Sequence, residues 1–145
     1  MAATTINIWD GLTIPEHTKT KSAFDLLKEQ NSLEEQTEQE LKMKVESQEV
    51  LLEEDNQILG NGRLYILYVL APNLGGLRRK IITVVEGKYN GKFPVDIICH
   101  IDEQKEIAVD EDSFLSKVQE ILSRKSVKDT IINLYVSSIE NKRNK

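Results

Sequence analysis

Apolar residues are densest in the middle of the chain, where the segment from Arg63 to Leu70 is apolar at nearly every position. A short run of this kind, rich in aromatic and branched side chains, is typical of a strand buried on both faces. Two further segments, 80–86 and 93–102, have strand composition and are separated by turns containing glycine. Because connections this short cannot cross over a sheet, the pattern predicts a mainly antiparallel sheet of about four to five strands.

Helical periodicity appears on either side of this sheet. Apolar residues spaced three and four apart predict C-terminal helices at about 112–124 and about 127–139, and a Ser22 cap predicts a short N-terminal helix at about 22–30. The chain is therefore expected to have an α+β fold. We expect residues 1–21 to form an N-terminal arm and residues 22–145 to form a single domain.

Two local features leave more room for interpretation. In the segment 37–52, apolar and polar residues alternate as in an amphipathic strand, but part of the same spacing also suits a helix, and the strand is favoured. The dipeptide Asn61-Gly62 is typical of a type I′ turn, because both residues tolerate a positive φ angle. It predicts a hairpin turn just before the central strand.

The charge is distributed unevenly along the chain, whose formal net charge is -5. The segment 29–57 is strongly acidic, whereas the remainder beyond it carries slightly more basic than acidic residues. Such an asymmetry is typical either of a solvated face or of a segment that binds a partner. If it binds a partner protein, the candidate contacts are Glu34, Glu35 and Glu38, together with Trp9 in the arm.

Cysteine use and the N-terminal composition indicate the compartment. Cys99 is the single cysteine and has no second thiol with which to form an internal disulfide. The first residues lack the basic and apolar regions of a signal peptide, and no apolar run is long enough to span a bilayer. We expect a cytoplasmic protein with no membrane contact.

The pair Cys99 and His100 is the first place to seek a thiol nucleophile with its base. Adjacent residues of a strand point to opposite faces, so the two side chains are not expected to share a proton. We expect Cys99 to be a small core residue. His100 is expected to share its face with Asp96 and Asp102, either of which is a candidate to orient the imidazole. The spacing of histidine, cysteine and acidic residues predicts neither a metal site nor a cofactor.

A basic loop is expected at Arg78, Arg79 and Lys80, directly after the glycine pair at 75–76. Glycines allow backbone amides to approach an anion, and the cations that follow would neutralise it. The loop leads into a strand and lacks the Gly-Lys-Ser/Thr ending of a phosphate-binding loop. Together with the basic C-terminal tail, it is a candidate nucleic-acid surface.

These observations rank three hypotheses. The first is a non-enzymatic protein-interaction or regulatory module that uses the acidic N-terminal half or a face of the sheet. The second is a nucleic-acid-binding protein that uses residues 78–80 and the C-terminal tail. The third, and least favoured, is an enzyme of unknown reaction centred on His100. Assembly of several copies through an apolar sheet face is a further option.

Overall fold

The computed structural model describes residues 21–29, 33–89 and 91–143. Five strands form one antiparallel sheet in the order β1-β2-β3-β4-β5, so each strand pairs with the strand that follows it in the chain. The strands are β1 (Lys42–Glu54), β2 (Gln57–Ala71), β3 (Leu77–Glu86), β4 (Val95–Cys99) and β5 (Gln104–Ala108). The predicted antiparallel α+β fold is confirmed, and within the segment 37–52 the favoured strand is present from Lys42 onward.

Four helices accompany the sheet within the described residues. They are α1 (Ala23–Lys28), α2 (Leu33–Gln36), α3 (Glu111–Ser123) and α4 (Lys125–Arg143), and a short 3-10 helix, Pro72–Leu74, joins β2 to β3. The Ser22 side chain caps α1 by accepting a hydrogen bond from the Asp25 amide. Asp110 and Ser113 form a reciprocal capping box that begins α3. The predicted C-terminal helices are therefore present, and the second is longer at both ends than expected.

The hydrophobic core lies between one face of the sheet and helices α1, α3 and α4. Alternate residues of β2, including Tyr65, Leu67 and Val69, point toward these helices because side chains along a strand alternate between faces. Phe114 is fully buried in the middle of this core, at 6.0 Å from the ring of Phe93. We call this side of the sheet the helix face and the opposite side the outer face.

The hairpin turn does not lie where the sequence predicted it. Asn61 and Gly62 lie inside β2, and the turn between β1 and β2 is formed by Asp55 and Asn56. Both turn residues have positive φ angles, 51° and 65°, as a type I′ turn requires. Gly62 serves close packing instead, because a Cβ there would lie 2.5 Å from Leu52 Cδ1 and 2.7 Å from the Glu86 carbonyl oxygen.

The strand limits near the candidate residues also differ from the prediction. The expected strand 93–102 is regular only from Val95 to Cys99, and residues 100–103 form a turn in which Glu103 has a φ of 58°. The expected strand 80–86 starts earlier, at Leu77, so the basic residues 78–80 belong to a strand and not to a loop. Backbone pairing to β2 sets this earlier start, with Leu77 opposite Ala71.

Candidate functional site

His100 lies at the end of β4, where its amide donates to the Ile81 carbonyl at 2.9 Å. Its Nε2 atom lies 2.6 Å from Thr83 Oγ1. Burial lowers the pKa of the imidazole, and the nearby charge of Lys80 lowers it further. A threonine hydroxyl beside an imidazole has the geometry of a nucleophile with its base, but Thr83 is buried.

Asp96 lies on β4 and is almost fully buried. Its carboxylate accepts a hydrogen bond from the Tyr89 hydroxyl at 3.2 Å and forms ion pairs with Lys105 at 3.2 Å and Lys88 at 3.5 Å. These partners stabilise the negative charge and hold the start of β4 against neighbouring segments. Asp96 therefore belongs to an ion cluster with two lysines, separate from the His100–Thr83 contact.

Asp102 does not share a face with His100, contrary to the expectation from alternation. Because β4 ends at Cys99, the turn that follows directs the Asp102 carboxylate to Arg124, whose Nη1 donates to it at 2.8 Å. Burial raises the pKa of Asp102, but hydrogen bonds from Arg124 and Cys99 outweigh burial and lower it overall. Cys99 is fully buried, as predicted, and burial raises the pKa of its thiol.

The sequence pattern did not indicate the role of Arg124, the residue between α3 and α4. Its guanidinium forms ion pairs with Asp102, with Glu106 at 3.3 Å and with Glu120 at 2.7 Å. These hydrogen bonds raise the pKa of Arg124, with the largest contribution from Glu120. Glu120 is a local partner four residues earlier, but Asp102 and Glu106 are distant in the chain, so no local motif signals the cluster. Arg124 thus ties the β4–β5 turn and β5 to the end of α3.

The residues expected to orient His100 are therefore engaged elsewhere, and the structure does not assemble the proposed acid-base site. In the described ranges, no group of three or more histidine, cysteine and acidic side chains is arranged to hold a metal ion. The charged side chains of Asp96 and Asp102 form ion pairs that link neighbouring elements of the fold.

The basic residues 78–80 are divided between the two faces of β3. Arg78 lies on the outer face, where its guanidinium is 4.4 Å from the centroid of the Tyr68 ring and donates to Glu46 at 2.8 Å. Arg79 is opposite Val69 and lies on the helix face, and Lys80 is opposite Tyr68. Alternation along the strand thus separates Arg79 from Arg78 and Lys80, and Glu46 already neutralises Arg78.

Arg79 lines a groove of about 390 Å³ between the start of β3 and α4. The groove is also lined by Leu74, Leu77 and Leu134, and by the polar side chains of Thr130, Asn133 and Ser137 on α4. Within the part of the chain that the structure describes, Arg79 makes no ion pair. Among the described C-terminal cations, Lys142 does not line this groove and is bound to Glu40 at 2.8 Å.

The candidate partner contacts in the acidic segment lie on and just after α2. Glu34 and Glu35 lie in the first turn of α2, and Glu38 is exposed just beyond it with a φ of 50°. Trp9 lies outside the described residues. The largest part of the acidic segment forms β1, which contains none of these individual contacts.

The β1–β2 hairpin extends beyond the rest of the sheet. β3 ends at Glu86, which is opposite Arg63, so residues 50–62 pair only with one another within the described sheet. We call residues 50–62 the hairpin end. It exposes three large apolar side chains, with exposed fractions of 54% for Leu51, 67% for Ile58 and 44% for Leu59. Glu53, Glu54 and Asp55 place negative charge beside them.

A cavity of about 680 Å³ lies where the hairpin end leaves the sheet. Its lining includes Leu51 and the charged residues Glu49, Arg63, Glu86 and Lys92. Arg63 and Glu49 form an ion pair at 2.9 Å across the hairpin. The cavity therefore joins the apolar surface of the hairpin end to a mixed group of charges.

The Glu86 carboxylate is anchored at the margin of this cavity by the Tyr65 hydroxyl, which donates to Oε2 at 2.6 Å. Its second oxygen, Oε1, is buried and has no hydrogen-bond partner. Burial, together with the hydrogen bond and charge of Glu86, raises the pKa of Tyr65. The neutral Tyr65 hydroxyl is therefore the donor that stabilises the Glu86 carboxylate.

Comparison of the chain with protein-family models, with curated proteins and with solved structures found no match. No helix in the described residues combines the length and apolar character needed to cross a bilayer.

Proposed function

We propose that the protein is a non-enzymatic protein-interaction module that contacts a partner protein through its hairpin end. The observation that carries this proposal is the exposure of Leu51, Ile58 and Leu59 on a segment that projects beyond β3. Single exposed apolar residues are ordinary, but several on one projecting segment are typical of a contact surface. Burying them against a partner removes apolar area from water, which favours binding.

The chemistry of the hairpin end describes the partner. Glu53, Glu54 and Asp55 border the apolar residues at the turn, and Glu49 lies farther along the same strand. A complementary surface has an apolar depression bordered by lysine or arginine side chains, because complementary charge speeds association and disfavours wrong partners. Part of the acidic charge is held in place, since Lys88 forms an ion pair with Glu54 at 3.7 Å.

The hairpin end also has the local rigidity that a binding surface needs. The Asp55-Asn56 turn closes it with two residues, and Leu52 packs against Gly62 where a larger residue would not fit. A surface that is ordered before binding loses less conformational entropy on association. The exposed apolar side chains are therefore presented on a regular two-stranded ribbon.

The test compares two double variants with matched loss of exposed apolar area. Ile58→Ser with Leu59→Ser alters the hairpin end, and Ile132→Ser with Val136→Ser alters exposed apolar residues of α4. Proteins retained by the immobilised full chain are identified by quantitative mass spectrometry, and the best-retained one is purified for calorimetric titration. We expect the hairpin variant to bind at least about tenfold more weakly and the α4 variant to bind normally. Equal affinity of the wild-type chain and the hairpin variant would exclude the hairpin end as the contact.

One observation supports a second candidate, nucleic-acid binding. The groove beside Arg79 combines an arginine without an ion pair in the described residues with hydroxyl and amide side chains, groups that contact phosphates. Fluorescence anisotropy with single- and double-stranded oligonucleotides at low salt tests it. Binding that weakens with salt and with Arg79→Gln, but not with the exposed control Lys128→Gln, would support this candidate. Absence of binding at low salt would exclude it.

A further inference from the structure

The outer edge of β1 is a long strand edge at one end of the sheet. β1 has 13 residues and pairs with β2 on one side, and no other strand of the described residues pairs with its second side. Edge strands present unpaired backbone amides and carbonyls, and proteins commonly shorten such edges or interrupt them with proline. β1 is long and has no proline. Its edge therefore has the backbone groups needed to pair with another strand.

The charges of β1 are arranged asymmetrically along its length. Lys42 and Lys44 lie at its beginning, and Glu53 and Glu54 lie at its end. A strand with this pattern matches its own reverse, because an antiparallel copy places the basic beginning of one strand beside the acidic end of the other. Within the described residues, Lys42 makes no ion pair and is available for a contact across the edge, while Glu54 is held at 3.7 Å from Lys88.

We propose that β1 of one copy pairs antiparallel with β1 of a second copy about a two-fold axis at Gln48. This register places Lys42 opposite Glu54 on the outer face and Val45 opposite Leu51 on the helix face. Opposite charges and apolar pairs directly across an antiparallel ladder both stabilise pairing. Because the interface is isologous, each contact occurs twice.

Neighbouring registers that keep the same faces form other pairs. A two-fold axis at Ser47 places Met43 opposite Leu51 but forms no pair of opposite charges, and an axis at Glu49 places Lys44 opposite Glu54 but forms no apolar pair. The axis at Gln48 places Met43 opposite Glu53, but it is the one of these three that provides both a pair of opposite charges and an apolar pair.

Self-pairing goes beyond the proposed partner contact and overlaps the hairpin end only through the end of β1, where Leu51 and Glu54 lie. It joins the two sheets edge to edge through β1, whereas Ile58 and Leu59 belong to β2 and stay exposed beside the turn. In the dimer, the hairpin end of each copy lies next to the beginning of β1 in the other copy. The two hairpin ends therefore face opposite directions, and each remains open to a partner.

The experiment uses complementary charge reversals in the full chain. One variant carries Lys42→Glu and Lys44→Glu, which makes both ends of β1 acidic. The other carries Glu53→Lys and Glu54→Lys, which makes both ends basic. Sedimentation velocity measures the mass of the wild-type chain, each variant and their equimolar mixture. We expect a wild-type dimer, a dissociation constant raised at least about tenfold in each variant alone, and recovery of the dimer in the mixture.

Controls separate pairing from effects on folding and net charge. Circular dichroism establishes that each variant is folded, because Lys44 and Glu54 also form ion pairs within one copy. Lys125→Glu with Lys128→Glu changes the net charge by the same amount as Lys42→Glu with Lys44→Glu, but on the exposed side of α4. This control is expected to leave the dimer intact. A monomeric wild-type chain at high micromolar concentration would overturn the proposal, as would a mixture of folded variants that stays monomeric.

The result is independent of the partner contact. The Ile58→Ser and Leu59→Ser variant is expected to dimerise normally even if it has lost its partner. Normal dimerisation in both charge-reversal variants would reject the β1 interface without bearing on the hairpin end. The two proposals can therefore fail separately.

Discussion

Replacing Tyr65 with phenylalanine tests the interaction that anchors Glu86 beside the cavity of about 680 Å³ at the hairpin end. The Tyr65 ring is buried, with 4% of the residue exposed, and its centroid lies 5.3 Å from that of Phe24. Tyr65→Phe keeps this packing and removes only the hydroxyl that donates to Glu86 at 2.6 Å. Glu86 Oε1 already has no hydrogen-bond partner. Removing the Tyr65 hydroxyl therefore takes away the donor at Oε2 as well.

The expected loss follows from the charge of the acceptor. A hydrogen bond to a charged group contributes about 1.5–3 kcal/mol to stability, so we expect the free energy of unfolding to fall by about 2 kcal/mol. For a chain of this size, such a change lowers the melting temperature by roughly 4–8 °C. The ring contacts are retained, so the slope of the urea unfolding curve should not change.

A double-mutant cycle with Glu86→Gln assigns the loss to this pair. Urea unfolding, followed by circular dichroism, gives the free energy of unfolding for the wild-type chain, both single variants and the double variant. We expect Tyr65→Phe to cost clearly less when residue 86 is already glutamine, because the carboxylate is then absent. A loss below about 0.5 kcal/mol for Tyr65→Phe, or additive effects in the cycle, would show that the Tyr65–Glu86 hydrogen bond does not stabilise the fold.

Three further predictions concern the same sheet. The pKa of Tyr65 is raised in the folded chain, so its contribution to stability is fully present below its unfolded pKa of about 10. This contribution is lost as the pH rises above that value. The difference in the free energy of unfolding between the wild-type chain and Tyr65→Phe should therefore shrink in urea titrations at alkaline pH. The lowered pKa of Asp102 has the opposite sign: its contribution is present above the unfolded value of 3.8 and is lost as the pH falls through the folded value. The difference in melting temperature between the wild-type chain and Asp102→Asn should therefore shrink on acidification below about pH 4, and a difference that does not change with pH would contradict the assignment. Gly62→Ala should lower the free energy of unfolding by about 1–3 kcal/mol, because the added Cβ would clash with Leu52 and the Glu86 carbonyl oxygen. An unchanged urea midpoint would show that the hairpin accommodates the methyl group without loss of stability.

The main elements of the fold follow from local patterns. The run from Arg63 to Leu70 is a central strand, and the periodic segments near the C terminus are α3 and α4. Cys99 is a core residue because alternation places it on the apolar face. These patterns are reliable because burial of a strand or helix requires apolar side chains at the spacing of that element.

The turns and strand ends were less predictable. Asn61-Gly62 has ideal turn composition, but Gly62 is required for close packing with Leu52, while the less typical Asp55-Asn56 forms the turn. A local dipeptide shows which φ angles are available and not which of two sites closes the hairpin. The pairing of β1 with β2 selects the site, because it depends on the whole length of both strands.

Periodicity within single elements is sufficient to predict the α+β class, the strand from Arg63 to Leu70, the helices and the apolar position of Cys99. Which charges meet depends on tertiary contacts. Asp102 pairs with Arg124, Asp96 pairs with two lysines, and residues 78–80 are divided between the faces of β3. The hairpin end and the outer edge of β1 have no further strand beside them among the described residues. Ion pairs and open edges depend on how residues that are distant in the chain are placed. Strand register and helix docking set that placement, and no local spacing predicts it.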